Sequence, residues 1–162
     1  MIIFRLFIAG FILIMLQIGL FPALIPEINQ PELILPMIVT VALLIGKVEA
    51  ISVAAIFGLL LDLYFRRAFG LRLLLFVSIA TFLGSYREKF THKSMFTVAV
   101  ITVICGITYT VFYWLGLTFL GIILKQNALF ISLFSLEVPI QVIFSIIFYK
   151  IFSKKRYRKV IY

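Results

Sequence analysis

The chain has 162 residues, 64% of them hydrophobic and 13% charged, with a mean hydropathy of +1.23, whereas soluble domains are about 45–50% apolar and about 25% charged. At ~20 apolar residues per bilayer-spanning helix, this content fills five or six spans and excludes a separate soluble catalytic domain. The net charge of +9, from 15 Lys and Arg against 6 Asp and Glu, is divided among membrane loops and a short tail; this pattern argues against nucleic-acid binding and for basic loops that fix topology.

In chain order, the apolar run after Arg5 forms a first span, Leu6 to Ile25. Phe21-Pro22-Ala23 lacks the small residue that a signal-peptidase site needs two positions before Ala23. Pro26 to Glu32 is turn-rich and acidic and reads as a short external loop. A second span runs from about Pro31 to Gly46, with Glu32 suited to the positive end of its helix dipole. Its apolar part, Leu33 to Ile45, contains Pro36 and crosses only with help from its polar ends or a thinner bilayer. Gly46-Lys47-Val48-Glu49 makes a hairpin into a third span, about Ala50 to Phe65. A turn ending in Gly70 leads to a fourth span, Leu71 to Tyr86, and a charged loop then precedes a fifth, Met95 to Ile123. The sixth, Ala128 to Phe152, closes a single transmembrane domain of residues 1–152. Residues 153–162 form a basic cytoplasmic tail, suited to anionic lipid headgroups.

The short second and third runs leave five spans as the alternative to six, and positive charge decides. Six spans with both termini cytoplasmic put eleven basic residues inside, namely Arg5, Lys47, Arg87, Lys89, Lys93, Lys150 and five in the tail. Four, Arg66, Arg67, Arg72 and Lys125, remain outside, in keeping with the positive-inside rule. Five spans would put the basic tail outside. The expected fold is an all-α polytopic membrane bundle of about six helices.

No catalytic or metal constellation is present in the sequence: Cys105 and His92 are each the single residue of their kind, and neither a phosphate loop nor a hydrolase set occurs. The expected protein is not an enzyme and takes no cofactor or metal. Its polar and small residues are more informative. Ala50, Ala54, Gly58 and Asp62 recur every four residues, drifting about 40° per step on a helix. They form a smooth stripe for close helix approach, either within the bundle or to a partner helix. Thr102, Gly106 and Thr110 make a weaker stripe on the fifth span.

Asp62 and Glu137 lie within apolar helices, where a charge costs about 2.5–3.5 kcal/mol at the helix centre. Arg66 shares a face with Asp62 at i+4, and Glu137 lies in the same outer half, so Asp62, Arg66, Arg72 and Glu137 are expected to form an intramembrane polar cluster. A proton or solute pathway is the sharper alternative, disfavoured because both carboxylates sit at similar depth instead of stepping through the bilayer.

The segment Gly58-Leu-Leu-Leu-Asp62, followed by Arg66-Arg67-Ala-Phe-Gly70-Leu71, resembles the rod shape-determining protein MreD family, whose spans show G-x-x-x-D, a short turn ending in Gly and a further apolar helix. The resemblance implies a fold similar to the substrate-binding subunits of energy-coupling-factor transporters. It also implies a non-enzymatic scaffold or regulator of cell elongation and peptidoglycan synthesis in the bacterial plasma membrane. The implied partners are an MreC-like protein, a RodA-like glycosyltransferase with its transpeptidase, and an MreB-like filament. Ala54, Gly58, Asp62, Arg66 and Gly70 would form the structural or partner-binding motif, with Gly58 for close approach, Asp62 as polar anchor and Gly70 as a turn of positive φ. The alternative function is a vitamin-binding transporter subunit. Those subunits carry an Ala-x-x-x-Ala face on the first helix, whereas here Leu13 follows Ala9 by four.

Overall fold

A computed structural model describes residues 2–20, 32–65, 70–89, 94–121 and 137–159. The regular structure among the described residues is entirely helical, in six helices. Helix α1 (Ile2–Met15) continues as a π-helical turn, Leu16–Leu20; then come α2 (Ile34–Leu44), α3 (Lys47–Phe65), α4 (Leu71–Tyr86), α5 (Met95–Phe119) and α6 (Glu137–Lys159).

The prolines fall where helices tolerate them. Pro36 and Pro139 each lie in a first turn, where backbone N–H groups have no intrahelical acceptor to lose. Ser94 starts α5, its hydroxyl accepting from Thr97 N at 3.2 Å, the usual way an N-cap side chain satisfies a free amide.

Helix α2 is the axis of the bundle. Every residue from Ile34 to Leu44 is buried, and α2 packs against each of the other five helices. A helix apolar all round has no face for water. At 11 residues it is about 16 Å long, half the ~30 Å of bilayer hydrocarbon. The expected second span, Pro31 to Gly46, is therefore a short enclosed helix over its described part. Two helices, Lys47–Phe65 and Met95–Phe119, are long and apolar enough to cross a membrane.

Other boundaries differ as well. Helix α3 begins at Lys47, so the hairpin from α2 is only Ile45-Gly46, and α6 continues past Phe152 to Lys159. Residues 21–25 and 122–136, at the ends of the expected first, fifth and sixth spans, lie outside the described residues.

The outward surface of the peripheral helices is strongly apolar. Phe4, Ile8, Phe11, Ile12 and Met15 project from α1, and Phe96, Ile104, Phe112 and Phe119 from α5, a surface far more apolar than water tolerates in contiguous patches. Two polar ties hold one end of the bundle. Arg87 Nη1 donates to Ile45 O at 2.6 Å, satisfying a carbonyl at the C-terminus of α2 with a cation that its dipole favours. Lys47 Nζ donates to Ser85 Oγ at 2.9 Å.

Candidate functional site

The small-residue stripe of α3 faces inward. Ala50, Ala54, Gly58 and Asp62 are all buried. A Cβ added at Gly58 would lie 2.9 Å from Leu73 Cα and 3.3 Å from Leu73 N, so the glycine lets the α4 backbone pack directly on α3. One turn further on, Asp62 accepts at Oδ2 from Leu73 N (2.9 Å) and at Oδ1 from Arg72 N (3.3 Å).

These amides belong to the first turn of α4, which begins after Gly70 at φ 88° with no side-chain cap of its own. Asp62 thus does from the preceding helix what an N-cap carboxylate normally does from within, and it places negative charge at the positive end of the α4 dipole. Close approach at Gly58 brings that turn within reach, and Gly70 supplies the left-handed backbone that starts it. Arg66, the expected partner of Asp62, lies outside the described residues. Arg72 meets Asp62 through its backbone amide, while its guanidinium turns elsewhere.

The Arg72 guanidinium enters a buried network at the opposite end of the bundle from Arg87. Its Nη2 lies 3.1 Å from Glu32 Oε1. The same oxygen accepts from Tyr109 OH at 3.1 Å, and Glu32 Oε2 accepts from Gln17 Nε2 at 2.8 Å. One carboxylate therefore joins the π-helical end of α1, the start of α2, α4 and α5. Aromatic rings enclose the cation, with Phe65 at 4.1 Å and Tyr113 at 5.3 Å from the guanidinium carbon, within the range of cation–π attraction. Tyr109 in turn stacks on Phe76 and Tyr113.

Glu137 is buried and accepts from Gln141 Nε2 at 3.3 Å. Gln141 also packs against Gly106, so the smaller stripe on α5, with Thr102 fully buried, seats α6. Arg72 thus belongs to a buried polar network whose hub is Glu32, which the sequence reading assigned to an external loop and helix dipole. Glu32 is buried because it neutralises an arginine 40 positions later. Gln17, Tyr109 and Gln141 were also missed. Gln17 carried a signal: it is the one polar side chain in the apolar run Leu6 to Leu20, and a lone amide among apolar residues needs a partner.

Among the described residues no three His, Cys, Asp or Glu converge as a metal set. Cys105 is a buried thiol, and His92 lies outside the described residues.

Six helices with an apolar perimeter, two of them long enough to span a bilayer, and an ion pair sealed among aromatic rings together define a helical membrane protein. The chain belongs to the rod shape-determining protein MreD family, whose model matches residues 1–157, and it is accordingly a membrane protein of cell-shape determination, a family not known for enzymes. No curated protein and no solved structure gives a significant match.

Proposed function

We propose that this protein is a non-enzymatic, six-helix membrane scaffold or regulator of the bacterial cell-elongation complex, resident in the plasma membrane with both termini cytoplasmic. The carrying observation is the family match over residues 1–157. Charge supports the orientation. The bundle end with Lys47, Arg87 and Lys89 would face the cytoplasm, and the end with Glu32, Asp62 and Glu137 the outside.

The packing supports a scaffold. Helix α2 fills the centre of the bundle, and in lipid the hydrophobic effect gives helices no net attraction, so partners are held by shape and hydrogen bonding. Within this reading Ala54, Gly58, Asp62, Arg66 and Gly70 keep the α3–α4 hairpin in one shape, and the outward faces of α1 and α3 receive partner helices. An MreC-like protein is the first expected partner, then a RodA-like glycosyltransferase with its transpeptidase and an MreB-like filament; the basic tail would rest on anionic lipids.

Photocrosslinkers at the exposed positions Phe11, Met15, Leu59 and Leu63, in native membranes, test the proposal. Labelling of an MreC-like or RodA-like protein is expected. Recovery of an ATPase-linked transport subunit would overturn the scaffold in favour of a vitamin-transporter subunit.

A further inference from the structure

Helices α3 and α4 pack as an antiparallel pair along their length. Near one end a Cβ on Gly58 would meet Leu73 Cα, and near the other a Cβ on Gly84 would meet Lys47 Cα at 2.8 Å. The two contacts are equally far apart along both helices, so α4 reaches the same depths as α3. Helix α3 is long and apolar enough to cross a membrane, and α4 crosses with it. Yet the crossing is short. Helix α4 has 16 residues, about 24 Å. The apolar part of α3, Ala50 to Phe65 after Lys47 and Glu49 in its first turn, is equally long, whereas a typical bilayer has ~30 Å of hydrocarbon.

The limits of this crossing are fixed. Lys47 Nζ donates to Ser85 Oγ and Arg87 Nη1 to Ile45 O, so both cations are tied to the bundle instead of reaching outward along the lipid. At the other end α3 stops at Phe65 and the chain goes on with Arg66 and Arg67, side chains that hydrocarbon disfavours. Between these limits the outward face is apolar, with Ile56, Leu59, Leu63, Leu74 and Phe82 exposed. Helix α5, of 25 residues and about 37 Å, does not relieve the shortfall, because an overlong helix can tilt whereas a short one makes the bilayer thin around it. We propose that the outward α3–α4 face is a lipid-selecting surface, which gathers phospholipids with short acyl chains and thins the bilayer by about 6 Å on that side of the protein. The inference rests on placement in a membrane and not on the scaffold reading.

Two single-tryptophan chains read the lipid at opposite faces. In both, the only natural tryptophan is removed by Trp114→Phe; one then carries Leu59→Trp on α3 and the other Ile107→Trp on α5, exposed positions near the middle of their helices. Each purified full chain is placed in bilayers of dibrominated dioleoyl phosphatidylcholine, which quenches tryptophan on contact, mixed with dimyristoleoyl, dioleoyl or dierucoyl phosphatidylcholine. In the Leu59→Trp chain the short-chain lipid should displace the brominated lipid about threefold better than the long-chain lipid does. In the Ile107→Trp chain all three should compete equally. The unmodified chain should also melt about 4 °C higher in dimyristoleoyl than in dierucoyl bilayers. Equal competition in the Leu59→Trp chain, the same preference in both chains, or no quenching in the Leu59→Trp chain, as self-association over that face would give, overturns the proposal. Should either variant unfold, the melting series on the unmodified chain still decides, and a midpoint that stays level or rises with acyl-chain length overturns it.

Discussion

Leu73 N donates to Asp62 Oδ2 at 2.9 Å, and the Cα of the same Leu73 lies where a side chain at Gly58 would have to go. One residue of α4 is thus gripped by both marked positions of the G-x-x-x-D segment. The spacing is physical: four residues advance a helix by about 6 Å along its axis, enough for one position to touch the α4 backbone while the next reaches its first-turn amides.

Gly58→Leu is expected to force α3 and α4 apart. Overpacking of this kind costs about 1–3 kcal/mol, and here the obstructing atoms are backbone. Thermal unfolding in detergent should show a lower midpoint, with Gly58→Ala intermediate. Any loss of partner co-purification should follow this destabilisation, since the stripe is covered by α4.

Asp62→Ala removes the cap of α4 and should cost about 0.5–2 kcal/mol, the range for lost capping side chains. Asp62→Asn, which keeps one acceptor oxygen, should cost less. Exchanging Asp62 and Arg66 should not restore stability, because position 62 would then present donors to the amides of Arg72 and Leu73. Recovery in the exchanged variant, measured by unfolding midpoint, would instead show that an ion pair with Arg66 dominates.

Glu32→Ala leaves the Arg72 guanidinium buried without its carboxylate, and breaking a buried pair on one side typically costs about 3–5 kcal/mol. Replacing both, with Glu32→Leu and Arg72→Leu together, should recover a large part of that loss, since apolar replacement of a buried pair is often neutral. A double-mutant cycle on purified protein measures the coupling.

Gly70→Ala places a Cβ on a backbone at φ 88° and should cost about 1 kcal/mol, with Gly70→Asn milder because Asn tolerates the left-handed region. Equal midpoints for wild type and Gly70→Ala would show that the turn relaxes to negative φ.

Much was legible in the sequence. Composition fixed a helical membrane protein, because about two-thirds apolar residues cannot be covered by the few polar ones. The glycines of the hairpin were legible too, since small size and positive φ are properties of the residue itself. The enclosure of α2 was not: Leu33 to Ile45 reads as a span because apolar periodicity cannot tell lipid from other helices, and only the placement of five neighbours around it decides. The roles of the carboxylates were likewise decided in three dimensions. Asp62 had an arginine four residues away and bonds instead to amides ten and eleven residues away; Glu32, in a stretch that reads as a loop, became the hub because Arg72, Tyr109 and Gln17 converge on it. Sequence determines which side chains cannot stay unpaired in an apolar interior, and tertiary structure chooses their partners, because a hydrogen bond depends on distances of about 3 Å that residue spacing does not encode.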